Sequence, residues 1–196
     1  MAKLEHPSSE RNKQPILDVL RRLLPSSGTV LEIAGGSGQH AVFFSENLPG
    51  ITWLPTDIDD ERLASIRAWR ESSNCSNLLE PKRLDVLDDD WGIGKVEVVF
   101  SANMVHITPW ECCLGLVAGA RRHLTPGGLL IFYGPFRIGG EHTAPSNAAF
   151  DEDLRGRDPS WGVRDLDAIR DAADGLVLEE RVAMPANNQI LVFRKV

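Results

Sequence analysis

The chain has 196 residues, 42% apolar and 25% charged, a length that suits one domain burying roughly 70% of its unfolded surface. Lys and Arg number 21 against 28 Asp and Glu, and the net charge of −7 argues against a general binder of nucleic-acid backbones. No apolar run approaches the ~18 residues of a membrane span, no apolar signal segment opens the chain, and three cysteines cannot all pair, so a reducing cytoplasm is the expected home.

Charge is uneven along the chain. Residues 1–25 carry a net of +2, which leaves the rest near −9. That basic arm reads either as a solvated helix face or as a cover over a bound anion or carboxylate. Ile16, Leu17, Leu20, Leu23 and Leu24 recur at helical spacing until Pro25-Ser26-Ser27-Gly28 stops the helix. Residues 30–33 are an apolar run broken only by Glu32 and followed by Ala34-Gly35-Gly36-Ser37-Gly38, the pattern of a buried parallel strand. A helix with His40, Ala41, Phe44 and Leu48 on one side comes next, ended by Pro49-Gly50. Residues 51–54 read as a second strand, and Asp59-Asp60 starts a helix carrying Leu63, Ile66 and Trp69. A polar loop over 72–81 precedes a third strand expected at 82–86.

Residues 96–101 are the clearest strand. Thr108-Pro109-Trp110-Glu111 then predicts a capping box, with Thr108 as N-cap of a helix that runs to His123. Pro126-Gly127-Gly128 turns into a fifth strand over 129–133. Residues 135–165 are rich in Pro, Gly and Asn, with a helix expected only over 147–154. So long a connection marks them as the expected substrate cover. Asp165 caps a last helix ending near Gly175. Residues 176–184 and 189–194, joined by Pro185-Ala186-Asn187-Asn188, form an antiparallel hairpin. Alternating strands and helices predict an α/β, doubly wound parallel sheet within a single domain over 1–196, with a terminal strand running against the others.

The turn over 34–38 lies between the first strand and its helix. Glycines there let the backbone turn sharply and a ligand approach the main chain, while the helix start offers free N–H groups to an anion. Gly36-Ser37-Gly38-Gln39-His40-Ala41 also spells the G-x-G-x-x-A dinucleotide fingerprint, so the turn alone leaves a nicotinamide cofactor and S-adenosylmethionine both open. Asp57, 19 residues after Gly38, is placed to accept both hydroxyls of a ribose from either cofactor. Asp85 with Val86 ends the third strand, where a carboxylate acceptor can take the exocyclic amine of an adenine. Glu32 lies inside the first strand and must be satisfied by backbone donors or by a ligand's amine. Leu124-Thr125-Pro126-Gly127-Gly128-Leu129-Leu130 precedes the fifth strand.

Through these features residues 28–134 resemble the class I S-adenosylmethionine-dependent methyltransferases. More narrowly, nearly the whole chain resembles the methyltransferase-like 26 group, whose function is poorly defined. Ser9-Glu10-Arg11-Asn12-Lys13, Gly38-Gln39-His40-Ala41, Asn103-Met104-Val105-His106-Ile107 and Tyr133-Gly134-Pro135-Phe136 carry that likeness. So do His142-Thr143-Ala144-Pro145-Ser146-Asn147, Arg157-Asp158-Pro159 and Met184-Pro185-Ala186-Asn187-Asn188. One departure stands out: the group's turn reads Ala-Ser-Gly-Thr-Gly, whereas here it is Ala34-Gly35-Gly36-Ser37-Gly38, with two side-chain donors exchanged or lost.

The resemblance implies a Rossmann-like, seven-stranded sheet with the last strand antiparallel and S-adenosyl-L-methionine as cofactor. Gly36 and Gly38, with Gly35 beside them, would pass its methionine part. Glu32 would lie behind them, Asp57 would hold the ribose, Asp85 and Val86 would face the adenine, and Asn103 would sit beside the sulfonium. Arg11 and Asn12 are the candidates for closing over the cofactor.

Methyl transfer from a sulfonium needs alignment and exclusion of water, and a base only where the acceptor arrives protonated. His106, Tyr133 and His142 are the candidates for that base. Trp110, Phe136, Asn147, Arg155 and Trp161 are expected to line the acceptor pocket. Cys-x-x-Cys and His-x-x-x-His spacings are absent, so no metal is expected. Asp88-Asp89-Asp90 reads as a solvated turn, and Arg121-Arg122 and Arg155-Gly156-Arg157 are too sparse for nucleic acid. A small-molecule acceptor follows, with neither nucleic acid nor membrane as partner; the oligomeric state is not legible. The rivals are a non-catalytic cofactor-binding subunit of a complex and a nicotinamide oxidoreductase. The sole tyrosine, Tyr133, lacks the Tyr-x-x-x-Lys partner the oxidoreductase would need.

Overall fold

The computed structural model describes residues 3–196. In chain order the elements are α1 (Pro7–Leu23), β1 (Gly28–Ile33), α2 (Gln39–Asn47), β2 (Ile51–Asp57), α3 (Asp60–Glu71), β3 (Lys82–Arg83) and β4 (Val96–Ala102). A 3₁₀ turn (Met104–His106) follows, then α4 (Trp110–His123), β5 (Leu124–Gly134), α5 (Pro145–Arg157), α6 (Leu166–Ala172), β6 (Leu176–Met184) and β7 (Asn188–Lys195). The strands form one seven-stranded sheet in the order β3-β2-β1-β4-β5-β7-β6. β7 runs antiparallel to β5 and to β6, as expected, while β1 pairs in parallel with β2 and β4.

Close contacts divide the chain into two compact units. The first comprises the chain up to Asp85 with Val96–Ser101, and the second comprises Val86–Lys95 with Ala102–Val196. In the first unit, β1 is the central strand, with Val30 opposite Trp53 of β2 on one side and Val98 of β4 on the other. Strands covered on both faces read as continuous apolar runs, which is how β1, β2 and β4 were recognisable. Phe44, Trp53 and Phe100 pack there with ring centroids 5.2 to 6.0 Å apart. The predicted stripe of α1 does bury Ile16, Leu17 and Leu20, but the helix begins at Pro7 rather than at residue 16. Its front half has no apolar stripe to betray it. It is held instead by a Lys13–Glu10 ion pair, Lys13 lying 4.8 Å over the Phe43 ring, and hydrogen bonds described below.

β3 is shorter than expected: only Lys82 and Arg83 pair, against Thr56 and Asp57, and both are exposed. In the second unit, β5 begins at Leu124, before the Pro126-Gly127-Gly128 turn, and pairs with β7 from Leu129↔Arg194 to Gly134↔Gln189. The core of this unit holds Phe132, Phe136 and Phe193. The capping box does not form. Thr108 Oγ1 turns back to the Met104 carbonyl at 2.9 Å, and α4 starts from Pro109 with no side-chain cap. The cap expected at Asp165 does form, on the amide of Asp167 at 2.7 Å. Among the described residues no helix is long and apolar enough to cross a membrane.

Candidate functional site

The turn after β1 is built from backbone. Ala34, Gly36 and Gly38 all have positive φ, at 56°, 59° and 92°. The Gly35 amide donates to the Thr56 carbonyl (2.8 Å), Gly36 N–H to Asp57 Oδ2 (3.0 Å) and Gly38 N–H back to the Gly35 carbonyl (3.1 Å). A Cβ on Gly38 would lie 2.9 Å from the Cα of Ile66, so α3 packs against a bare backbone there. A Cβ on Gly36 would meet nothing nearer than the Ala34 carbonyl at 4.0 Å, which leaves that face of the turn open. Asp57 closes the arrangement at the end of β2, its other oxygen accepting from Asp59 N–H at 3.0 Å.

Glu32 sits behind the turn, 2% exposed, and accepts from the Trp53 indole at 2.8 Å. Burial is the main cause that pushes its carboxyl up to about 8. The Trp53 bond opposes the rise and the Asp57 charge adds to it. The group is therefore largely neutral at pH 7 as it stands. Asp85 is half-buried and Val86 is buried.

The basic arm reaches this turn through a polar network. His6 N–H and Ser37 Oγ both donate to Gln39 Oε1, at 2.7 and 3.0 Å. Leu4 N–H donates to Ser65 Oγ, which donates in turn to the Ser37 carbonyl. Asn12 Oδ1 lies 2.7 Å from His40 Nε2, while Arg11 is exposed. His40 stacks on Phe44 and is held near 4, far below the usual histidine range, chiefly by burial. So of the two arm residues expected at the cofactor, Asn12 is engaged by the protein itself. Sequence reasoning gave His40 no role, although it stands in the Gly38-Gln39-His40-Ala41 motif.

In the second unit, Asn103 follows β4 with φ 63° and donates its amide to the Tyr133 carbonyl at 2.8 Å. Tyr133 is buried. His106 is fully buried, edge-on to Phe136 at 4.8 Å, and its Nδ1 accepts from Arg164 N–H at 3.2 Å. Burial, reinforced by the Arg164 charge, pushes it down to about 3, with the Gly162 backbone opposing. With Nδ1 accepting, the ring proton lies on Nε2, which has no partner. A Cβ on Gly134 would stand 2.5 Å from that nitrogen. The proton acceptor expected at His106 is thus a neutral ring presenting a donor. Arg164, which the sequence reading did not single out, pins this corner through the Val105 and Thr108 carbonyls at 2.9 and 2.6 Å.

Of the expected acceptor residues, Phe136 and Asn147 are buried, Trp110 and Trp161 half-buried. Asn147 commits its amide hydrogens to Thr143 Oγ1 (3.0 Å) and the Asn187 carbonyl (2.9 Å). Trp110 and Trp161 lie under the guanidinium groups of Arg164 and Arg157, at 5.7 and 5.2 Å. Arg155 pairs with Asp151, which also binds the Val163 amide and approaches His142. Asp151 was not among the expected residues. Its one sequence signal, the i,i+4 spacing to Arg155, reads as an ordinary surface pair.

Solved structures share this fold at low sequence identity. An O-methyltransferase family protein from Burkholderia thailandensis superposes with a TM-score of 0.81 at 19% identity, covering 96% of this chain and 57% of that one. An O-methyltransferase family 2 protein from Planctomyces limnophilus, solved with apigenin, gives 0.78 at 20% identity, with coverage of 96% and 60%. A methyltransferase of calicheamicin biosynthesis in its SAH-bound form gives 0.73 at 18%, with coverage of 96% and 55%. The chain therefore spans little more than half the length of these proteins. A family model described as "Protein of unknown function (DUF938)" matches residues 3–195, and the chain belongs to that family.

Proposed function

We propose that this protein is an S-adenosylmethionine-dependent methyltransferase acting on a small-molecule acceptor, akin to the methyltransferase-like 26 group. The observation that carries the reading is the turn after β1: a bare, open backbone at Gly36, with the buried and largely neutral carboxyl of Glu32 behind it. These residues fit an amino-acid nucleoside. An ammonium drawn to this end of β1 would ionise Glu32, since an opposite charge favours the charged form. The carboxylates of Asp57 and Asp85 are acceptors for ribose hydroxyls and an adenine amine. Gly36 lets the ligand reach the main chain, Gly35 and Gly38 hold the turn against α3 beside it, and Val86, Asn103, Arg11 and Asn12 complete the proposed set. When bound, the cofactor supplies a methyl group already activated on a sulfonium.

Calorimetry tests this directly. S-adenosylmethionine and S-adenosylhomocysteine should bind and NAD should not. Repeating the titration at pH 7 in buffers of different ionisation enthalpy should show close to one proton released on binding, lost in Glu32→Gln. Binding of NAD alone would overturn the reading. The runner-up, a cofactor-binding subunit without activity of its own, draws support from the locked ring of His106. Purified protein incubated with labelled cofactor and a protein-free metabolite extract separates the two: a labelled small molecule favours the enzyme, and transfer only after another protein is added favours the subunit.

A further inference from the structure

Asp151 is 8% exposed on α5, and both of its oxygens are in use. Oδ1 accepts from Val163 N–H at 2.6 Å, and Oδ2 accepts from Arg155 Nε at 3.0 Å. Oδ2 also lies 3.6 Å from Nε2 of His142. Burial works against the charge of Asp151, yet the Arg155 and Val163 bonds and the charges of Arg155 and His142 hold it below the usual carboxylate range. An ionised carboxylate can only accept, so it favours the imidazole form with its proton on Nε2. Nδ1 is then left with its lone pair, and that nitrogen is buried without a partner. Backbone alone fits over the pair: a Cβ on Gly162 would come within 2.7 Å of Asp151 Oδ1 and 2.8 Å of Arg155 Nη2.

We infer that Asp151 is a positioning residue that holds His142 with its proton on Nε2, leaving Nδ1 as the acceptor for the proton a methyl acceptor gives up. This rests on the methyl-transfer reading above. The acceptor's X–H bond breaks, its proton goes to His142 Nδ1, and its electron pair forms the bond to the methyl carbon. The old carbon–sulfur bond then leaves its electrons on a neutral thioether. Asp151 Oδ2 faces the imidazolium so formed, and the ring, its side chain 25% exposed, returns the proton to water. His106 offers the opposite chemistry, with its acceptor nitrogen taken by the Arg164 amide.

Nitrogen-15 spectra of the cofactor-free protein test the geometry, with the His142 ring signals assigned from His142→Gln. The wild type should show hydrogen on Nε2 and an acceptor-type Nδ1. Asp151→Asn keeps an oxygen for Val163 and turns an amide donor toward the ring, so the tautomer should invert to Nδ1–H. An unchanged tautomer, or Nδ1–H in the wild type, overturns the inference. Should Asp151→Asn fail to fold, Arg155→Gln leaves the Val163 bond in place and should retain Nε2–H; inversion there overturns it equally. In the extract assay His142→Gln should lower methyl transfer by ~10²-fold with cofactor affinity unchanged. Expected tautomers with no transfer by the wild type would sink the methyl-transfer reading, and the proton-acceptor role with it, while the Asp151–His142 geometry would stand.

Discussion

The turn after β1 and the corner around His106 and His142 use polar groups in opposite ways. In the turn, the amides of Gly35, Gly36 and Gly38 are all bonded within the protein, and the hydroxyls of Ser37 and Ser65 are tied into the same network. Around the two histidines, by contrast, His106 Nε2 and His142 Nδ1 are buried with no partner. An unsatisfied buried polar atom costs about 1–3 kcal/mol, so such atoms persist where something compensates for them. The first region keeps a shape. The second leaves hydrogen-bonding capacity unused at His106 Nε2 and His142 Nδ1.

The sharpest way to break this contrast is to fill the turn. Gly38→Ala combines a left-handed backbone with a Cβ 2.9 Å from the Ile66 backbone, and should cost about 3 kcal/mol in urea unfolding. Gly36→Ala carries only the backbone strain and should cost about 1 kcal/mol. If the two cost the same, the turn is not braced by α3.

Glu32→Gln sharpens the comparison through pH. Between its ordinary value of 4.5 and about 8, the folded state holds a proton on Glu32 that the unfolded chain has released. Stability from this group therefore falls as pH rises through that window. His40 and His106, held near 4 and 3, act in reverse: the unfolded chain binds their protons below pH 6.5, so their contribution to stability rises with pH up to that point. Glu32→Gln should thus stabilise the cofactor-free protein by on the order of 4 kcal/mol at pH 8 and hardly at all at pH 4.5. Denaturation series across pH will show whether the falling limb disappears.

Much of the frame is legible in the amino-acid sequence. Continuous apolar runs mark strands covered on both faces, and glycines at the first strand–helix turn mark where a backbone must bend left-handed. The front half of α1 was hidden because side-chain hydrogen bonds to Gln39 and His40 hold it, with no apolar periodicity. Thr108 spelled a cap that its own preceding turn captured. Asp151 was invisible for a different reason: its role depends on Val163 and His142, and no spacing along the chain reports those contacts. The protonation of His106 likewise follows from complete burial against Phe136 and Arg164, which residue type alone does not encode.

The two compact units are not separable by cutting the gene once. The polypeptide leaves the first after Asp85, returns for Val96–Ser101, and departs again. A fragment ending at Asp85 would strip β1 of the strand that Val30 to Ile33 pair with, exposing an unpaired apolar edge prone to aggregation. The first unit thus completes its sheet only after residues 86–95 of the second have been synthesised, and a domain-shuffling experiment on it must carry Val96–Ser101 along.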